Sequence, residues 1–197
     1  MASKDGASVP AASTSSGASH YDRTAAAILD AAAHVLSEQQ SSSMADVAAA
    51  AGVSRATLYR YYPHREALLE ALAYQALADA ATRLADAGLE RAPVEEAIER
   101  IVRAVVAVGD RYAVIVRECV KFDQAEAERL LGEPMRAVFA RGIESGLFRQ
   151  DISAEVLLEL FGGALSAAIK LTQRRQLGVE EASAATASVF LDGARTR

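Results

Sequence analysis

The donors best suited to bind an anion lie in one short segment of the chain, residues 54–65. Arg55, Arg60 and Arg65 occur there with one threonine and three tyrosines, and the segment contains no acidic residue. Guanidinium groups and hydroxyls are the side-chain donors that proteins direct at DNA phosphates and base edges. The segment therefore predicts a surface for nucleic acid, although its charge alone would also fit a solvated helix face.

Two short helices joined by a glycine turn are predicted to position these donors. The second helix of the chain is expected over residues 44–51, with Ser43 as its N-cap and Asp46 as the capping partner. Gly52 ends this helix because a sharp reversal needs a backbone angle that glycine adopts without strain. Ser54 then caps the third helix, which such a pair projects into the major groove of DNA. The alternative is a compact corner of a helical bundle that binds no DNA.

Apolar residues recur at helical spacing through the rest of the chain, and no strand pattern occurs. The first helix is expected to begin near Asp22 or Arg23 and to end near Ser37. The later helices are expected at residues 64–88, 93–109, 112–120, 125–145, 154–175 and 179–194, with a bend in the helix that contains Pro134. About nine helices and little aromatic content indicate an all-α fold.

Composition divides the chain into three parts. Residues 1–19 are of low complexity and carry few bulky apolar groups, so they are expected to form a disordered tail. Residues 20–70 are expected to form an N-terminal three-helix domain that contains the helix-turn-helix. Residues 71–197 are expected to form a larger helical domain.

Net charge, cysteine content and the length of the apolar runs limit the compartment in which the protein is expected to function. Its 197 residues carry a net charge of −5 and one cysteine, which excludes an intramolecular disulfide and fits a reducing compartment. No apolar run approaches the roughly 18–20 residues that cross a bilayer, and the N-terminal segment lacks the apolar core of a signal peptide. A cytoplasmic protein without membrane contact is therefore expected.

An enzyme or metal protein built on a helical bundle is the main alternative. All three histidines lie in the first third of the chain, without the Glu-x-x-His pattern of di-iron bundles. The sequence has no phosphate-binding glycine loop and no nucleophile elbow, so no catalytic residue, cofactor or metal site is predicted. Cys119 lies in an apolar run that favours a structural thiol, but Arg117 and Lys121 leave a redox-sensing thiol open.

Residues 22–69 closely resemble the DNA-binding domain of TetR-family transcriptional regulators. The resemblance lies in "ILDAA" in the first helix, "MADVAAAAGVS" across the second helix and turn, and "ATLYRYYPHREALL" after it. The later helices match the family in number, length and order, including "GLFRQDI" before the penultimate helix. One departure is the loop of residues 37–42, which is short and lacks the glycine and aromatic residue common there. The resemblance implies a DNA-binding regulator.

The resemblance also implies roles for the third helix. Arg55 would donate bidentately to guanine O6 and N7, and Thr57 would contact a base edge, a thymine methyl group or a phosphate. Tyr59 and Tyr61 would donate their hydroxyls to phosphates, with amphipathic packing as the alternative, which stays open for Tyr61. Arg60 is expected to reach a phosphate or water.

Three further positions are expected to contact the DNA backbone. Ser43 and Ser54 would direct helix N-termini at phosphates. Arg65 stands where the family usually has a lysine that clamps a phosphate.

The last two helices are expected to form a homodimer interface. In similar proteins such helices build a four-helix bundle across a two-fold axis, which implies a pseudo-palindromic operator with half-sites about one helical turn apart. An intramolecular core is the alternative for each residue. The predicted interface residues are Leu157, Leu158, Phe161, Leu165, Ile169, Thr172, Ala185, Val189 and Phe190.

The middle helices are expected to enclose a cavity for a small, mostly apolar effector. Core packing is the alternative for each candidate lining residue, and solvated surface for the polar anchors Arg117, Glu118, Gln124 and Gln173. The candidates are Ile101, Val105, Tyr112, Ile115, Val116, Cys119, Phe122, Met135, Phe139, Ile143 and Phe161. The implied function is that of a repressor released from its operator when the effector shifts the fourth helix.

Overall fold

The computed structural model describes residues 15–38, 41–118, 120–121 and 123–196 of the chain. Ten α-helices follow one another in this part: α1 (Ser15–Glu38), α2 (Met44–Ala50), α3 (Arg55–Tyr61), α4 (Arg65–Asp86), α5 (Val94–Arg111), α6 (Ala113–Arg117), α7 (Gln124–Ala127), α8 (Glu133–Glu144), α9 (Ala154–Gln173) and α10 (Val179–Ala194). A π-helical turn, Glu128–Gly132, joins α7 to α8, so these three form the single bent helix that the sequence predicts. The all-α prediction is confirmed, since the extended pairing in the described part is one isolated bridge between Phe148 and Arg195.

The first helix begins earlier than its periodicity predicts, at Ser15. The ring of Tyr21 stacks on the ring of Tyr61 in α3, with centroids 4.3 Å apart and an interplanar angle of 23°. This contact supports the extra turns of α1, and it joins residues too distant in sequence for a periodicity to indicate it. The helix thus begins inside the segment expected to form a disordered tail, residues 1–19, of which residues 1–14 lie outside the described part.

Buried apolar side chains form two hydrophobic cores. The first lies under α1, α2, α3 and the N-terminal half of α4, and it also receives Tyr112, Val114 and Ile115 from the corner of α5 and α6. The second lies among α5, α8, α9 and α10 and includes Leu84 from the end of α4. Because α4 contributes to both cores, a displacement of this helix necessarily disturbs each of them.

In the described ranges, no helix is both long and apolar enough to cross a bilayer.

Candidate nucleic-acid interface

A reciprocal capping box fixes the start of α2. The Ser43 hydroxyl accepts from the backbone N–H of Asp46, and the Asp46 carboxylate accepts from the backbone N–H of Ser43 at 2.8 Å. These bonds, with the backbone N–H of Ser43 as the main cause, hold the pKa of Asp46 below its ordinary value. The predicted capping pair is confirmed.

The turn between α2 and α3 has the predicted geometry. Gly52 adopts φ +66°, in the left-handed region that favours glycine. The backbone N–H of Val53 donates to the carbonyl of Ala48 at 3.0 Å and closes the reversal. The Ser54 hydroxyl then caps α3 by accepting from the N–H of Thr57 at 3.0 Å. The direction of α3 is thus set by local bonds at both sides of the turn.

The two faces of α3 differ in burial. Leu58 is completely buried in the first core, and Tyr62 just after the helix is also buried, which raises the pKa of its phenol. Arg55 is exposed, and the Tyr59 side chain is 47% exposed. Thr57 is half-buried, since its hydroxyl lies 2.9 Å from that of Ser54. The helix therefore presents an arginine and a tyrosine hydroxyl to solvent from a fixed support.

Tyr61 is mainly a packing residue. Its ring is half-buried against Tyr21, and the guanidinium of Arg60 lies 5.6 Å from its ring centroid. These contacts support the packing alternative for the ring. Contact of the Tyr61 hydroxyl with a phosphate stays a prediction.

Arg65 makes two internal contacts at the start of α4. Its Nη1 donates to the carbonyl of Ser42 at 3.0 Å, and its Nη2 donates to Oε1 of Glu118 at 2.6 Å. The Arg65 side chain is only 29% exposed. Arg65 thus joins the loop before α2 to the residue that follows α6, and its contact with a DNA phosphate stays a prediction.

A second polar joint connects α1 and α4 to the corner of α5 and α6. Arg111 donates to Asp30 at 2.8 Å, and the Tyr112 hydroxyl donates to Asp79 at 2.6 Å. Burial, followed by the hydrogen bond and charge of Asp79, raises the pKa of Tyr112 far above its ordinary value. Tyr112 is thus a neutral donor that joins α4 to the corner of α5 and α6, and its contact with an effector stays a prediction.

The effector candidates within the described residues pack among the helices. Ile101, Phe139 and Phe161 are completely buried, and the other described candidates Val105, Ile115, Met135 and Ile143 pack in or against the cores. Cys119, Phe122 and the side chain of Val116 lie outside the described residues. The described candidates thus fill space between helices, as the packing alternative expects, and their contact with an effector stays a prediction.

A cleft of about 1020 Å³ lies elsewhere, between the end of α4, the connection to α5 and the segment from the π-helical turn into α8. Its walls include Ala85 on α4 and Ala137 on α8, and its rim carries Glu90, Glu133 and Arg129. None of the predicted effector residues lines it. Periodicity indicates which side chains face inward, but it does not indicate where packed helices leave a gap.

The predicted polar anchors have separate positions. Glu118 pairs with Arg65, and Gln124 is exposed on α7. Gln173 donates to the carbonyl of Gly109 at 3.4 Å beside a different cleft of about 520 Å³. The side chain of Arg117 lies outside the described residues.

The predicted dimer residues divide between the core and the surface. Leu157, Phe161, Leu165 and Thr172 are buried within the subunit, and Leu158, Ile169 and Phe190 pack against the second core. Leu157 and Phe190 also line the apolar groove between the two helices, and contact of these seven residues with a second copy stays a prediction. Ala185 and Val189 are exposed as expected.

The exposed apolar surface of α9 and α10 includes Val189 from the predicted set and two further residues of α9. Val156 and Leu160 on α9 are 50% and 58% exposed, and Val189 on α10 is 74% exposed. An apolar groove of about 480 Å³ between the two helices lies beside Leu160 and Val189. Large exposed apolar side chains beside such a groove are typical of an interaction surface.

Known proteins resemble both the helix-turn-helix segment and the whole fold. The sequence profile of the family described as "Bacterial regulatory proteins, tetR family" matches residues 28–72. The HTH-type transcriptional repressor LfrR of Mycolicibacterium smegmatis is 44% identical over 93 residues, which cover 45% of this chain and 47% of LfrR. The aligned segment thus spans about half the length of that relative.

Two comparisons extend over most of the chain. The HTH-type transcriptional regulator NfxB of Pseudomonas aeruginosa is 26% identical over 181 residues, which cover 89% of this chain and 95% of NfxB. The crystal structure of LfrR from Mycobacterium smegmatis in complex with proflavine superposes with a TM-score of 0.71 at 26% identity, covering 89% of this chain and 99% of that one. These proteins are transcription regulators, in agreement with the interpretation of the chain as a regulator and not an enzyme.

Proposed function

Because the chain belongs to the TetR family of bacterial regulatory proteins, we propose that it is a repressor that binds a pseudo-palindromic DNA operator as a homodimer and is released by a small effector. The exposed face of α3 carries this proposal, since Arg55 and Tyr59 project from a helix that Leu58 holds on the core. The division into residues 20–70 for DNA and 71–197 for effector and dimer is part of the same proposal.

Sequence recognition is assigned to the first turn of α3. The Arg55 guanidinium is exposed at the first residue of the helix, where its fork suits guanine O6 and N7. Thr57 lies two residues further along the same turn, and Tyr59 supplies a hydroxyl for a phosphate. Phosphate contacts set the position of the protein, and only the base contacts specify sequence. One such helix makes few contacts, so useful affinity requires two copies.

The exposed apolar face of α9 and α10 is the surface we assign to the second copy. Leu160 and Val189 lie on this face beside the groove, while most of the residues that the sequence predicts for the interface cover the core from the other side. A two-fold axis at this face makes each patch its own partner. The dimer would then present two α3 helices to two operator half-sites.

Replacement of Arg55 by alanine is expected to relax base preference and to cost about 1–3 kcal/mol on the operator. The operator is first obtained by selection of bound genomic fragments and footprinting. Gel shifts on the operator and on a scrambled duplex then compare Arg55→Ala with Arg60→Ala, which removes the same group from the same helix. Arg60→Ala should weaken binding to both duplexes slightly and to the same extent. An equal loss on both duplexes for Arg55→Ala would contradict its assigned role.

The cleft between α4 and α8 is the site we assign to the effector. Its alanine and leucine walls suit a mostly apolar molecule, and the carboxylates of Glu90 and Glu133 on the rim suit ring amines. The similar LfrR structure contains proflavine, a planar compound of this kind. Helix α4 carries one wall of the cleft and also follows α3 directly in the chain. A shift of α4 therefore moves α3. An effector that binds one position of α4 more tightly than another changes the affinity of the protein for DNA.

Proflavine fluorescence, titrated without DNA because the dye also stacks between base pairs, tests this assignment. Wild-type protein should bind the dye, and Ala85→Trp combined with Ala137→Trp should abolish dye binding by occupying the cleft. Ala125→Trp, an equal change at an exposed position of α7, is the control. Unchanged dye affinity in the double tryptophan variant would show that the dye binds outside this cleft.

A further inference from the structure

The contact between Arg65 and Glu118 joins the DNA-binding helices to the remainder of the protein. Arg65 is the first residue of α4 and follows the recognition helix after only three residues, Tyr62 to His64. Glu118 follows α6, and its carboxylate lies 2.6 Å from Nη2 of Arg65. The two residues are 53 positions apart in sequence, so the contact depends on how α6 packs beside α4.

Both partners are held in place by their surroundings. The other arm of the Arg65 guanidinium donates to the carbonyl of Ser42 at 3.0 Å. The backbone N–H of Glu118 donates to the carbonyl of Val114, a residue completely buried in the first core. The carboxylate is therefore presented from an anchored backbone. A pair ordered before contact loses less side-chain entropy than an ordinary surface pair does.

The carboxylate and a DNA phosphate have the same chemistry toward an arginine. Each offers oxygen acceptors with negative charge, and guanidinium binds either through charge-assisted hydrogen bonds. Arg65 has one arm on Ser42 and the other on Glu118, and its side chain is 29% exposed. A phosphate that approaches the start of α4 thus meets a guanidinium whose charge is already paired with the Glu118 carboxylate.

We propose that Glu118 occupies on Arg65 the position of a DNA phosphate and thereby limits operator affinity. The inference rests on the proposed DNA-binding function. Glu118 is a positioning residue, which sets whether Arg65 is available and makes no DNA contact itself. Any change in the packing of α6 beside α4 alters this competition.

Glu118→Gln tests the competition because glutamine keeps the size of the side chain and removes its charge. The variant should bind the operator about tenfold more tightly. A plot of the logarithm of the association constant against the logarithm of the salt concentration should also become steeper. Its slope should change by about 1 for each half-site, because each half-site gains one phosphate contact. Glu118→Asp retains the charge and should show no steeper salt dependence. A thermal melt of each variant shows that the fold is retained.

Two controls separate this effect from general electrostatics. Glu96→Gln removes the same charge from the Arg100–Glu96 pair on α5, where the atoms are 2.7 Å apart, and should leave the salt slope unchanged. Arg65→Ala should abolish the gain from Glu118→Gln, so that the double variant equals Arg65→Ala alone.

Each remaining outcome overturns a particular claim. If Glu118→Gln binds the operator as weakly as wild type or more weakly, Glu118 supports Arg65 or has no role, and the competition is refuted. The same conclusion follows if the gain persists in the Arg65→Ala background. If wild-type protein shows no salt-dependent binding to any selected duplex, the proposed DNA-binding function itself fails.

Discussion

A protein with Leu160→Glu and Val189→Glu should be a folded monomer that has lost most of its operator affinity. The two side chains are 58% and 74% exposed in the subunit, so charge at these positions does not disturb its core. Across a two-fold axis each carboxylate would meet the same apolar patch of the second copy. Desolvation of unpaired charges costs several kcal/mol, which an apolar interface between two copies cannot offset.

Loss of the dimer should weaken operator binding by about 100-fold or more, because the second α3 no longer binds at high effective concentration. Sedimentation across a range of protein concentrations measures the mass, and circular dichroism checks the helix content. Ser166→Glu adds the same charge at an exposed position of α9 on the side of the helix that carries Glu159 and Lys170. This control should stay dimeric. A double variant that remains dimeric would show that the two copies meet at another surface.

The helix-turn-helix could be predicted from the sequence because its determinants are local. The Ser43–Asp46 capping box, the left-handed Gly52 and the Ser54 cap each join residues within a few positions of one another. The sequence also predicts the bounds of α10 correctly, since Gly178 and the end of the apolar pattern at Ala194 mark them. Local geometry of this kind depends little on the rest of the fold.

Contacts between distant elements could not be predicted in the same way. Nothing near Arg65 in the sequence indicates that Glu118 is its partner, and nothing in α1 indicates that Tyr21 stacks on Tyr61. The side of α9 that covers its own core could not be predicted for a related reason. This helix is apolar around much of its circumference, so periodicity does not separate the side that faces its own core from the exposed side that carries Leu160.

Phe139→Ala should destabilise the fold strongly, because Phe139 is the centre of an aromatic cluster in the second core. The residue is completely buried, and its ring centroid lies 5.5 Å from that of Phe148, 5.4 Å from that of Phe161 and 5.7 Å from that of Phe190. Truncation removes the central ring of this cluster and leaves a cavity bounded by α8, α9 and α10. Such changes cost about 3–5 kcal/mol, against a typical total stability of about 5–15 kcal/mol.

Urea unfolding at one fixed protein concentration measures the loss, since the proposed dimer would make the midpoint depend on concentration. Tyr74→Ala is the matched control, because it truncates an aromatic ring that is 61% exposed on α4 and should change the free energy of unfolding by less than about 0.5 kcal/mol. The cavity also loosens Phe190, the residue that follows Val189 on α10, so the dimer should weaken together with the fold. Similar midpoints for Phe139→Ala and Tyr74→Ala would show that the four rings do not form the centre of the second core.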